Sequence, residues 1–139
     1  KSILISCDNA HALHPNHPEL FDEVNRPLLN KGLAIKESAN QKYTTDAFSR
    51  GLFKTILHKK NIPYQTFANR SDIQGGSTLG NLSNTVVSMN ALDVGIPQLS
   101  MHSSYEVAGS KDVEYACKAL KAFFEADIII DDDRAYLGE

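Results

Sequence analysis

The stretch "SCDNAHALHPNHPE", residues 6–19, holds three histidines and two acids in fourteen positions. Carboxylate oxygen and neutral imidazole nitrogen are the donors that a borderline-soft ion such as Zn²⁺ collects. Asp8 stands just after the apolar run "SILIS", with Cys7 between, and His102 directly after "GIPQLSM". In open α/β sheets ligands bind beyond strand carboxyl ends, so an acid and a histidine at two such ends make a candidate metal pair. By spacing alone the signal is weak, because an Asp at a strand end is also an ordinary turn or cap residue. His11, His14 and His17 have the H-x2-H-x2-H spacing that gathers ligands on a helix, yet Pro15 and Pro18 forbid a regular one. His14 and His17 read as loop histidines bonded to backbone. His11, nearest the strand end, is the functional candidate of the three.

Other residues carry two readings each. "QGGSTLG" (Gln74–Gly80) puts glycines ahead of a helix, which exposes backbone N–H groups to anions. It lacks the lysine of a phosphate loop, so a tight turn into a capped helix and a substrate-facing loop both stay open. Lys36 lies in a strand-like segment, where a solvent-facing lysine is the ordinary case. Tyr43 precedes a helix cap, where packing would ordinarily explain it.

The elements that must hold these residues alternate. Ser2–Ser6 reads as a strand buried on both faces, Gly32–Ser38 and Ile62–Ala68 as two more, and Gly95–Met101 as a fourth. Three prolines between Asp8 and Lys31 exclude a long helix there. A helix begins near Thr44 or Thr45, helped by Asp46, with the stripe Phe48, Leu52, Ile56 beside Phe53 and Leu57, and His58–Lys60 in its last turn. Residues 75–91 read as a glycine turn, a Ser77 or Thr78 cap and a short helix. Ser110 caps a last helix with the stripe Val113, Cys117, Leu120, Phe124, and Glu114 and Lys118 stand at the favourable i,i+4 spacing. Strands alternating with helices predict a layered α/β/α domain with a largely parallel sheet.

The totals bound the function. One domain's length, 139 residues, can bury a real core. A net charge of -3 argues against nucleic acid and membrane surfaces as partners. No apolar run approaches a bilayer span. Cys7 and Cys117 make no disulfide framework and suit reduced thiols in a cytoplasmic protein. The chain opens on Lys1 and reads as cut from something longer.

"SCDNAHALHPNHPE", "KGLAIKESANQKYTTD", "RSDIQGGSTLG" and "LDVGIPQLSMHSSYE", in this order, resemble the second half of an aspartyl aminopeptidase. That family contains two-zinc exopeptidases that remove an N-terminal, typically acidic, residue from peptides. The likeness runs from about Ser2 to Phe124. It implies that Asp8 and His102 are zinc ligands, one to each of two metals. It also implies that His11 and Lys36 face the substrate's acidic side chain, that Tyr43 stands near the reacting carbonyl, and that Met101 lines the pocket. The family's first zinc histidine, bridging aspartate, catalytic Glu-Glu pair and inserted dimerisation domain have no counterpart here. The resemblance therefore implies the C-terminal part of a catalytic domain (residues 1–126) with an unassigned tail (127–139), inactive in isolation. The complete enzyme would be a large homo-oligomer. Neutral-residue specificity, or a non-catalytic assembly module of the same fold, are the alternatives.

Overall fold

The computed structural model describes residues 2–138. Its centre is a four-stranded sheet of β1 (Ile3–Cys7), β3 (Leu33–Glu37), β4 (Tyr64–Ala68) and β5 (Asn90–Gly95), in the order β1-β5-β3-β4. β1 pairs parallel with β5 and β3 parallel with β4, while β3 and β5 run antiparallel. The sheet is thus largely parallel but has no single carboxyl edge. A second small sheet continues from it, with β2 (Ala10–His11), β6 (Pro97–Leu99) and β7 (Val107–Ala108) in the order β2-β6-β7.

Three helices cover the central sheet: α1 (Ala47–Lys59), α2 (Leu79–Val86) and α3 (Ser110–Glu125). α1 buries the predicted Leu52, Phe53, Ile56 and Leu57 against Leu33, Ile35, Leu92 and Val94 of the sheet. Its N-cap is Asp46 rather than Thr44 or Thr45. Asp46 accepts from the Ser49 N–H, and the Ser49 hydroxyl accepts from the Asp46 N–H, a reciprocal capping box. The threonines are used elsewhere, as described below.

α3 packs beside α1, but its buried face is Asp112, Ala116, Ala119 and Ala122. This corrects the expected stripe by one position. Val113 and Phe124 are 51% and 81% exposed, because the small alanines let the helix approach closely where larger side chains would hold it off. Its N-cap is Gly109, with Ser110 the first helical residue. The Asp112 carboxylate, in the first turn, accepts from the backbone N–H groups of Asn30 and Gly32 at 2.6 and 2.9 Å. That ties the loop before β3 to α3. Gly32 is required there: its φ is +110°, and a Cβ would lie 2.3 Å from the Pro63 carbonyl oxygen.

Two further expectations are corrected. β5 begins in residues read as the end of a helix and runs through Leu92, Asp93 and Val94, where no element was expected; it is the inner strand between β1 and β3. β1, read as buried on both faces, is an edge strand whose Ile3, Leu4 and Ile5 are only partly covered. The tail forms a hairpin of β8 (Ile128–Asp131) and β9 (Arg134–Leu137), whose Ile128, Ala135 and Leu137 pack on the main core. Among the described residues no helix is long and apolar enough to cross a membrane. Cys7 and Cys117 are both free and exposed.

Candidate functional site

Register puts one residue from each central strand in a row on the sheet face away from α1 and α3. Ser6 pairs with Asp93, Asp93 with Lys36, and Lys36 with Phe67. α2 and the turn carrying Tyr43 cover this face. The Gly80 N–H, in the first turn of α2, donates to the Ser6 hydroxyl at 3.1 Å. Thr78 takes the N-cap position but makes no capping bond, so a sheet hydroxyl serves one of the orphan helix donors.

Beside this row lies a cavity of about 440 Å³. Asp8, His11, Lys36, Tyr43, Met101 and His102 all border it. Residues separated by nearly a hundred positions meet because β1–β2 and β5–β6 run as parallel companions, with Ala10 opposite Pro97 and His11 opposite Gln98. His102 does not sit at a strand end, since β6 stops at Leu99. It stands in a turn in which Ser100 and His102 both have positive φ, +55° and +69°. The turn is closed by the Ser103 N–H on the Ser100 carbonyl and by the His102 N–H on the Glu106 carboxylate. Two residues in the left-handed region within three positions hold the imidazole in an orientation that a relaxed strand would not give.

Lys36 is not a solvent-facing strand residue. It is 2% exposed, with its Nζ 3.7 Å from the Asp8 carboxylate and 5.3 Å from the centre of the Tyr43 ring. Burial lowers its pKa, and the charges of Asp8 and Asp93 oppose that shift. The Tyr43 ring packs against Phe67. Burial raises the pKa of its phenol, against an interaction with the Asn69 side chain, so the hydroxyl keeps its proton. His11 stands at the cavity wall. Partial desolvation there sets its pKa below that of an ordinary histidine, and the neighbouring His102 and Lys36 act in the same direction. Cys7, next to Asp8, is shifted upward by desolvation.

His14 and His17 do not border the cavity. Their ring centres lie 5.7 Å apart with the planes tilted, the Asn16 N–H donates to His14 Nδ1, and His17 meets Glu19, as befits loop residues. The glycine loop does reach it: Gln74 to Thr78 form one wall, which favours the substrate-facing reading over a bare turn. Asn69 and Asp93 were missed from sequence. An aspartate inside the apolar run "ALDVG" was the available signal for the second, since a lone acid in a buried strand needs a partner.

Asp8 and His102 have the donor chemistry of zinc ligands. Among the described residues, however, no group of three or more His, Cys, Asp or Glu side chains gathers to hold a metal. A catalytic zinc takes about three protein ligands. These residues therefore fit as contributors to a zinc site and do not complete one.

A three-layer α/β domain with an acid, an imidazole and a buried lysine around one cavity has the makings of a metal-dependent hydrolase. The chain belongs to the family described as aminopeptidase I zinc metalloprotease (M18), whose pattern it matches over residues 1–124. It is 48% identical over 124 residues to "Probable M18 family aminopeptidase 2" of Clostridium novyi, covering 89% of this chain and 29% of that protein. It is 44% identical over 138 residues to "Aspartyl aminopeptidase 1" of Schizosaccharomyces pombe, covering 95% of this chain and 29% of that protein. A chain of the cryo-EM structure of the Ape4 and Nbr1 complex superposes with a TM-score of 0.86 at 44% identity, covering 88% of this chain and 23% of that one. The chain thus spans under a third of the length of the curated relatives it matches.

Proposed function

We propose that this chain supplies the substrate-facing part of a zinc aminopeptidase that removes an N-terminal, acidic residue from peptides. The observation that carries the reading is the convergence of Asp8, His11, Lys36, Tyr43, Met101 and His102 on one cavity. Asp8 and His102 would each give one ligand to a two-zinc centre. Zinc, when bound, supplies Lewis-acid polarisation of the scissile carbonyl and activation of water.

The chain's own residues bind and orient. The buried Lys36 ammonium, with His11 at the wall, receives the substrate's side-chain carboxylate, and desolvation strengthens that pairing. The Tyr43 O–H, protonated at neutral pH, donates to the oxygen on which negative charge develops. Met101 gives an apolar contact beside His102. Without further ligands and a proton acceptor the 139 residues are inactive alone. The same reading has the complete enzyme working as a cytoplasmic homo-oligomer, and the two exposed thiols suit a reducing compartment.

The test uses the longest natural chain that carries these residues. Zinc content by mass spectrometry and hydrolysis of Asp, Glu and Ala aminoacyl amides are measured together, with the native mass. Asp8→Ala and His102→Ala are expected to lose zinc and activity, and acidic substrates to be preferred. Retention of both zinc and activity by these variants would overturn the assignment. Preference for Ala would replace acidic with neutral specificity.

A further inference from the structure

Asp93 lies in the middle of the sheet with no exposed surface, between Ser6 and Lys36 in the residue row. A fully buried carboxylate is costly unless its bonds repay the desolvation. Its bonds are concentrated on one place. Oδ2 accepts from the Thr44 N–H at 2.6 Å and from the Thr44 hydroxyl at 2.8 Å. The Asp93 N–H donates to the Thr45 hydroxyl at 2.9 Å, and that hydroxyl reaches back to the Asp93 carbonyl at 3.5 Å. A single strand residue thus clasps the two residues that follow Tyr43.

The other oxygen, Oδ1, has no hydrogen-bond partner among the described residues. It lies against the first turn of α2, where a Cβ on Gly80 would come within 3.2 Å of it and within 2.7 Å of Ser6. A glycine lets α2 sit this close, and the carboxylate faces the positive end of its dipole. If the fold alone were served, an apolar residue at 93 would be the cheaper choice. Instead the threonines that the sequence offers as helix caps are drawn off to Asp93, and Asp46 caps α1.

We propose that Asp93 is the positioning residue of the site, holding the Thr44–Thr45 turn so that the Tyr43 hydroxyl is presented to the cavity beside Lys36. This rests on the role proposed for Tyr43. Asp93 touches neither substrate nor metal; it acts through the turn.

The experiment is a double-mutant cycle in the longest natural chain that carries these residues, using Asp93→Asn, Tyr43→Phe and the double variant, all checked for fold by near-ultraviolet circular dichroism. Asp93→Asn keeps the shape but loses the charge and is expected to lower kcat about 10- to 100-fold with KM changed less than about threefold. In the Tyr43→Phe background the same change should cost almost nothing more, because its effect runs through the phenol. Losses that multiply in the double variant would overturn the proposal. Should Asp93→Asn fail to fold, Thr44→Val, which removes one donor and leaves the carboxylate, carries the same cycle with an expected loss of about 3- to 10-fold.

A second readout separates this proposal from the one it rests on. The ¹³C-labelled ring of Tyr43 is expected to shift or broaden in Asp93→Asn, and an unchanged resonance would overturn the positioning role. If Tyr43→Phe is as active as the parent, the role of Tyr43 in the reaction falls, and the resonance alone decides whether Asp93 positions it.

Discussion

The Lys36 ammonium lies 3.7 Å from the Asp8 carboxylate, yet Lys36 is buried while the Asp8 side chain is 59% exposed. The separation makes this an ion pair without a hydrogen bond. A buried cation thus faces the cavity with its nearest anion on the solvent side. A second carboxylate entering the cavity, which Lys36 borders, would meet the same ammonium.

If that second carboxylate is the substrate's, removing the ammonium should injure acidic substrates far more than neutral ones. A hydrogen bond to a charged partner contributes about 1.5–3 kcal/mol, so Lys36→Ala is expected to lower the Asp-to-Ala ratio of kcat/KM roughly 10- to 150-fold. Paired Asp and Ala aminoacyl substrates, assayed in the complete chain, give the ratio directly. An unchanged ratio would take Lys36 out of the specificity pocket.

Asp112 anchors the loop before β3 from α3, through two backbone N–H groups. Asp112→Ala leaves a buried donor, the Gly32 N–H, and a partly buried one, the Asn30 N–H, without their acceptor. We expect a loss of about 3 kcal/mol in unfolding free energy, read by urea denaturation. A loss under about 1 kcal/mol would mean that the loop finds other acceptors and that α3 does not hold it.

His11 sets a pH dependence. Its pKa in the fold lies below 6.5, the ordinary value, so the unfolded chain takes up the proton first as the pH falls. Stability is therefore untouched by His11 above pH 6.5 and declines below it, until the folded imidazole also protonates. Comparing wild type with His11→Gln by denaturation at pH 7.5 and 5.5 isolates this slice, which should be small because the residue is exposed. The variant should lose less stability on acidification than the parent. An equal loss in both would show that His11 is not desolvated at the cavity wall.

Much of the architecture is local and was legible in the sequence. The α1 stripe Leu52, Phe53, Ile56, Leu57 buries as its 3.6-residue spacing requires, and Pro15 and Pro18 keep the histidine segment out of a helix. Six of the residues that border the cavity were also visible, because Asp8, His11, Lys36, Tyr43, Met101 and His102 stand in motifs that resemble a known family.

Tertiary structure decided what those residues face. Periodicity cannot show that β3 and β5 run antiparallel, which leaves the sheet without a single carboxyl edge on which to seat a site. Hydrophobicity favours Val113 and Phe124 as the inner side of α3, whereas close packing selects Ala116, Ala119 and Ala122. Read singly, Lys36 looks like a surface charge and Asp93 like a lone acid in an apolar run. Register makes them neighbours, and burial of each becomes affordable through bonds and charges from residues distant in the chain. A side chain's environment is set by which strands pair, and that information lies in no single segment.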